Sequence, residues 1–259
     1  MRDPSAVLEI KKLSKHFGGL TAVDEVGFSL FEGEILGLIG PNGAGKTTLF
    51  NLITGLIPPS DGEIIYLGQD ITNIAPYRLA AKGMVRTFQI TNLFPNLSIY
   101  ENVSLGRHLK HDIGVWGPLI NSKKSRYKKK SNDKKVMELL SLVKLENMKH
   151  ELVRNVSHGH QNLIQVVSVL AAEPKVLLLD EPAGGLNPEE TTQVAHLIRR
   201  IRDLGTTILL VEHNMRVIMG ICDRIVALNY GRKIAEGRPE EISKNKELIE
   251  AYLGSTEIA

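Results

Sequence analysis

The chain has 259 residues, 42% hydrophobic and 24% charged, with 32 Lys and Arg against 29 Asp and Glu and a formal charge of +3. That length fits one large domain or two small ones, is ample for a buried core, and the composition excludes wholesale disorder. Aromatic content of 5% leaves little for stacking single-stranded nucleic acid, and the lone Cys222 excludes an internal disulfide framework or a thiolate zinc cluster.

Residues 1–25 carry Arg2, Asp3, Glu9, Lys11 and Lys12 with no apolar centre, so no secretory signal is expected. Nowhere does an apolar run approach the roughly 18–20 residues that span a bilayer. Val7 to Lys12 alternates like a strand, and Val26, Phe28 and Leu30 mark a half-buried one. Glu34–Ile39 reads as a short buried strand ending at Gly40, followed by a helix from Lys46 to about Thr54. Gly55 and Pro58-Pro59-Ser60-Asp61-Gly62 break that helix. Glu63–Leu67 is the next strand and Tyr77–Lys82 a short helix. Helical stretches are expected over Ile99–His108, Lys134–Leu145 and Gln161–Ala172.

Between the first two of these lies NSKKSRYKKKSNDKK, positions 121–135, with eight Lys or Arg and one Asp, a net of +7; the other 259 − 15 = 244 residues sum to 3 − 7 = −4. The segment reads as a solvated, mobile loop, with contact to anionic headgroups as the alternative.

Val176–Leu179 is a continuous apolar run, as in a parallel strand buried on both faces. Asn187 caps the next helix, Pro188 takes its first position, and Glu189 and Glu190 fill the first turn. Val194, Leu197, Ile198, Ile201 and Leu204 form one apolar stripe, and Gly205 stops the helix. Thr206–Val211 and Ile225–Leu228 are further buried strands, and Cys222 between them is expected to be a buried structural thiol. Alternating strands and helices argue for a largely parallel sheet covered on both faces.

Gly40-Pro41-Asn42-Gly43-Ala44-Gly45-Lys46-Thr47 fits G-x-x-x-x-G-K-[ST] in the required context, a buried strand before and a helix after. Glycines let backbone N–H groups turn inward around phosphates, and the helix N-terminus adds positive potential. Lys46 is suited to reach the outer phosphates and Thr47 to ligate Mg²⁺. The motif alone indicates a nucleoside triphosphate and no more. Asp180-Glu181 ends the Val176 strand: Asp180 is suited to hold Mg²⁺ and Glu181 to act as general base toward water.

Further features, in order and spacing, resemble the ATP-binding cassette family. Gln89, in Arg86-Thr87-Phe88-Gln89, resembles the glutamine loop. Ser157-His158-Gly159-His160-Gln161 looks like the signature, which normally reads Ser-x-Gly-Gln. Gly184-Gly185-Leu186-Asn187 stands where the dimer-contacting loop belongs, His213 where the switch histidine does, and Phe17 where the adenine-stacking aromatic does.

The resemblance implies an α/β fold: a P-loop NTPase (RecA-like) core with an N-terminal antiparallel β subdomain and an inserted α-helical subdomain. It places the core at about 1–89 and 171–240, the helical signature region at about 90–170, and a helical tail at 241–259. It implies ATP and Mg²⁺ as cofactors, with Glu181, His213 and Gln89 catalytic and Thr47, Gln89 and Asp180 toward the metal. Nucleotide contacts would come from Phe17, Val23, residues Gly40 to Thr47, Thr48, and Ser157, Gly159, His160 and Gln161.

A narrower likeness is to the branched-chain amino acid transport ATPases. It rests on Phe17-Gly18-Gly19-Leu20-Thr21-Ala22-Val23, Val85 to Gln89, Leu93-Phe94, Ser98, Glu101-Asn102, Ala183 to Pro188, Glu212-His213-Asn214-Met215 and Ala251-Tyr252-Leu253-Gly254. It implies a head-to-tail dimer with a second, homologous ATPase subunit beneath two transmembrane permease subunits, fed by a solute-binding protein. The place is the cytoplasmic face of the plasma (inner) membrane, with no nucleic acid partner. Urea and short-amide importers share the pattern, and a soluble ATPase acting on nucleic acid or ribosomes is the alternative of another class. His160 departs from the expected Gln, and Asn162 and Leu163 stand where basic residues are usual. The departure predicts that the ATP site completed by this signature is the weaker of two.

Overall fold

The computed structural model describes residues 6–87, 93–107 and 123–254. Ten strands and nine α-helices lie within them, arranged as two sheets and a helical layer.

The first sheet is antiparallel. Strands β1 (Ala6–Phe17), β2 (Leu20–Phe31), β4 (Asp61–Tyr66) and β5 (Gln69–Asp70) are ordered β2-β1-β4-β5. The second contains β3 (Ile35–Ile39), β6 (Met84–Arg86), β7 (Val176–Asp180), β8 (Thr207–Val211), β9 (Arg224–Asn229) and β10 (Arg232–Gly237), ordered β10-β9-β3-β8-β7-β6. It is parallel from β9 to β6, and β10 alone runs antiparallel.

Because side chains alternate along a strand, the central strands feed two cores. Ile35, Ile39, Leu177, Leu179, Ile208 and Leu210 pack with helices α3 (Ile99–Gly106), α5 (His158–Leu170), α6 (Pro188–Asp203) and α7 (Met215–Ile221). Leu36, Leu38, Leu178, Leu209 and Val211 face the other way, against the antiparallel sheet and α1 (Lys46–Ile53). A short helix α2 (Pro76–Ala81) precedes β6, and α8 (Pro239–Ile242) and α9 (Lys246–Gly254) close the described chain. The expected architecture is therefore present: a parallel core sheet, an antiparallel sheet on one side and helices inserted between β6 and β7.

Capping residues fix several helix starts. The Asn187 side chain accepts from the N–H groups of Glu189 and Glu190, and Glu190 reaches back to the Asn187 N–H, a capping box at α6. Ser98 and Glu101 do the same at α3. Cys222 is buried, and burial pushes its thiol well above the usual range.

Two expectations are corrected. From Lys123 onward the basic run is not a loop: α4 runs unbroken from Lys123 to Leu142, eleven residues earlier (134 − 123 = 11) than the predicted start. No Gly or Pro interrupts that stretch, Lys and Arg are good helix formers, and buried Val136, Leu139 and Leu140 anchor its second half. Leu204 is 67% exposed rather than part of the α6 stripe. It lies on nearly the same face as buried Leu197 but is the C-cap, one residue past the end of α6, where the chain leaves the helix and no longer packs on the core. Strands β5, β6 and β10 lacked a sequence signal; β10 is a sheet-edge strand whose side chains are exposed or half-buried.

Candidate active site

The carboxyl ends of parallel strands are where α/β sheets bind ligands. Here β3, β8 and β7 are neighbours, and each ends on a predicted site residue. β3 runs into the phosphate loop, β7 ends at Asp180-Glu181, and β8 is followed by Glu212-His213.

The loop from Gly40 to Gly45 opens α1. Gly45 is the N-cap, in the left-handed region at φ 97°, and a Cβ there would lie 2.5 Å from the Ala22 carbonyl oxygen. Only glycine lets the loop back so tightly onto β2. With no side-chain cap and no acid in the first turn, α1 presents its leading N–H groups and the positive end of its dipole to an anion. Lys46 Nζ donates to the carbonyls of Gly40 (2.7 Å) and Pro41 (2.9 Å), inside the loop. Burial pulls its ammonium below the usual lysine range, an effect opposed by Glu181 and Asp180. Asn42, Gly43 and Thr47 are exposed, Thr48 is half-buried, and Ala44 is buried.

Asp180 is buried and accepts from Arg86 Nη2 at 2.6 Å, while its N–H donates to the Thr87 hydroxyl at 3.2 Å. Arg86 also donates to Asn51 Oδ1 (2.6 Å) and Thr54 Oγ1 (3.2 Å), tying β6 to α1. Glu181 adopts φ 47°, in the left-handed region unusual for a residue with a side chain. Its Oε2 lies 3.8 Å from His213 Nδ1, so the proposed base and switch histidine are brought together. The donors fit Mg²⁺: Thr47 and Asp180 are hard oxygen ligands. No group of three His, Cys, Asp or Glu forms a metal cage among the described residues.

Ser157 caps α5 and accepts from the His160 N–H at 3.3 Å, so the signature opens a helix at His158, three residues before the predicted Gln161. His160 is half-buried. Gly159 is buried against α6; a Cβ there would meet Glu190 Oε1 at 2.3 Å.

Two predicted contacts are corrected. Val23 is fully buried in the core behind the loop, because strand alternation turns it inward. The Gln161 side chain is engaged within its own subunit, donating to the carbonyls of Val153 (3.3 Å) and Val156 (3.2 Å), the first residue and the C-cap of the 3₁₀ turn that precedes α5. Phe17 is 48% exposed at the end of β1, with Lys15 Nζ 5.2 Å from its ring centre. Gln89 lies outside the described residues.

Residues 23–184 match the family model described as ABC transporter, more than half of the chain. The chain belongs to the ABC transporter ATP-binding family. Its residues 232–258 match a second model, branched-chain amino acid ATP-binding cassette transporter. The chain is 38% identical over 249 residues to the high-affinity branched-chain amino acid transport ATP-binding protein LivG of Escherichia coli (strain K12), covering 96% of this chain and 98% of that one. It is 36% identical over 249 residues, with the same coverage, to BraF of Pseudomonas aeruginosa, a protein of the same description. Among solved structures, an ATP-binding cassette of an ABC transporter in its ADP conformation superposes with a TM-score of 0.84 at 28% identity, covering 96% of this chain and 99% of that one.

Family motifs did not disclose four site residues. Arg86 holds Asp180, and Asn162 and Glu212 hold the turn after Glu181. The hydroxyl of Tyr252 in α9 accepts from the Gly40 N–H at 3.0 Å, so the tail touches the phosphate loop. Of these, Arg86 and Glu212 adjoin recognised motifs; Tyr252 carried no signal of contact with a loop 212 residues away.

Proposed function

We propose that this chain binds and hydrolyses ATP as the energy-coupling subunit of an importer for branched-chain amino acids. The observation that carries the chemistry is the pairing of Glu181 with His213 at 3.8 Å, just past the ends of β7 and β8, of which β8 lies beside the strand that leads into the phosphate loop. Glu181 accepts a proton from the attacking water, and His213 orients and supports that carboxylate. Lys46 and the α1 N–H groups hold the phosphate chain. Thr47 and Asp180, with Gln89 of the glutamine loop, hold Mg²⁺, which when bound neutralises phosphate charge. Phe17 stacks the base. Ser157, Gly159 and His160 serve a second subunit's nucleotide in a head-to-tail dimer, where a helix N-terminus again faces phosphate.

The solute class rests on the two relatives and on the tail match at 232–258. In this reading residues 1–89 and 171–240 are the catalytic core, about 90–170 the helical unit and 241–259 the tail. Two permease subunits dock beneath, and the chain sits at the cytoplasmic membrane face. What supports docking is an apolar groove of about 330 Å³ between core and helical unit, lined by Leu56, Leu79, Met84, Val85, Leu93 and Val169. Among the described residues no helix is long and apolar enough to cross a membrane, so the permeases must supply the channel.

The test is Glu181→Gln. It should lower ATP turnover at least about 100-fold while leaving ATP binding intact, and turnover like that of the native protein would refute the assignment. ATP-dependent uptake of leucine, isoleucine or valine into proteoliposomes with the cognate permeases and binding protein tests the solute class; uptake of urea instead would overturn it.

A further inference from the structure

The loop that follows Glu181 is held from two sides by residues to which the mechanism above gives no role. Asn162, 7% exposed in α5, donates from Nδ2 to the Pro182 carbonyl oxygen at 3.2 Å. Glu212, with no exposed surface at the end of β8, accepts the Ala183 N–H on Oε1 at 2.8 Å. The C=O of Pro182 and the N–H of Ala183 belong to one peptide group, so the Pro182–Ala183 peptide is gripped at both ends. The other Glu212 oxygen faces the Asn214 N–H at 3.4 Å, beside His213.

We propose that Asn162 and Glu212 are positioning residues which, through the Pro182–Ala183 peptide, tie the attitude of helix α5 to the placement of Glu181 and His213. This rests on the ATPase reading and deepens it. Three features make the link specific. Glu181 sits in a left-handed backbone conformation at φ 47°, which persists only where the surroundings hold it. Its N–H donates to Val211 O at 2.9 Å and its C=O accepts from Gly184 at 3.0 Å, so the turn moves as one unit with the gripped peptide. Pro182 fixes φ in the middle of that turn and removes one way for it to relax.

The signature helix therefore reports on the catalytic turn within its own subunit. When a partner's nucleotide reorients the α5 N-terminus, Asn162 moves the Pro182 carbonyl and with it the backbone of Glu181. Glu212 supplies the opposite anchor and links the same peptide to the switch loop. Asn162, a departure from the usual basic residue, keeps a side-chain donor at the place where the link needs one.

The experiment uses the full chain with near-isosteric changes that remove only the polar groups, Asn162→Leu and Glu212→Met, singly and together, with Glu212→Gln as the conservative variant. Hydrogen exchange over 181–186 should quicken in both single variants. In the ATPase assay kcat should fall about tenfold while KM for ATP stays within about twofold. The double variant should be no slower than the worse single one, because both act on one peptide. Glu212→Gln, which keeps an acceptor for Ala183, should restore kcat.

Unchanged exchange in Asn162→Leu, additive losses, or a loss seen in KM alone would overturn the link. Absence of ATP turnover in the native protein would sink the ATPase reading instead, and the exchange arm would still decide the link. If Glu212→Met fails to fold, Asn162→Leu and Glu212→Gln carry the same comparison.

Discussion

Arg86 and Asp180 form a buried ion pair at 2.6 Å, with side chains 9% and 3% exposed. The guanidinium also bonds Asn51 and Thr54 and lies 5.1 Å from the Phe50 ring centre. Arg86→Met keeps most of the apolar stem but removes the charge, leaving Asp180 ionised, buried and without its cation. Breaking a buried pair in this way costs about 3–5 kcal/mol, far more than the pair itself contributes over an apolar substitute. With an m value of about 3 kcal/mol/M, the urea midpoint should fall by about 1–1.7 M. Urea unfolding followed by far-ultraviolet circular dichroism, without nucleotide and with chelator, measures this. Arg86→Met with Asp180→Asn, which removes both charges, should be more stable than Arg86→Met alone. A loss below about 1 kcal/mol, or no relief in the double variant, would refute the view that a buried charge pair positions the carboxylate.

Tyr252→Phe removes the acceptor for the Gly40 N–H; stability should drop by about 1 kcal/mol and amide exchange at Gly40 should quicken, with unchanged exchange counting against a tail-to-loop contact. Burial raises the Glu212 carboxyl from its ordinary 4.5, outweighing the N–H groups of Ala183 and Asn214 and the nearby His213, while Glu181 adds to the rise. A raised acid contributes its stability in full below the unfolded value and loses it as pH climbs through the folded one. The native protein should therefore lose stability relative to Glu212→Gln as pH rises above 4.5, and parallel pH curves would contradict this. His160→Gln in the assembled transporter should raise ATPase rate and flatten its pH profile if the departed signature weakens one site; identical rates would dismiss that idea.

What the sequence disclosed depended on how local the physical cause was. The phosphate loop was legible because its glycines, Lys46 and Thr47 lie within one turn between a strand and a helix, and that spacing alone dictates the geometry. The α6 start was legible because Asn187, Pro188 and Glu190 satisfy one another within four residues. Leu204 is exposed because α6 ends at Asp203, one residue short of the stripe's last member, and helix ends are not set by apolar spacing. Val23 was misassigned because strand alternation turned it into the core. The loop assigned to 121–135 failed for a third reason: charge density was taken as a sign of irregular backbone. Lys and Arg oppose burial, not helix, and α4 is held by Val136, Leu139 and Leu140 further along the same rod.

Two of the residues that no motif disclosed, Arg86 and Glu212, have partners that are distant in sequence and adjacent through sheet order. Arg86 meets Asp180 across 94 positions because β6 and β7 are paired, in a register that sets Arg86 beside Leu178. Glu212 meets Ala183 across 29 positions because β7 and β8 are paired, with Asp180 opposite Val211. A parallel sheet needs a long crossover between neighbours, so the groups gathered at its strand ends are necessarily far apart in the chain. Family motifs name the groups that meet the nucleotide. The groups that hold those in place come from the same strand ends but obey pairing rules that spacing cannot express. Asn162 extends the point to helix packing: judged along the chain it is a departure from a signature, and judged in the fold it is the donor from helix α5 to a peptide that only tertiary packing brings beside it.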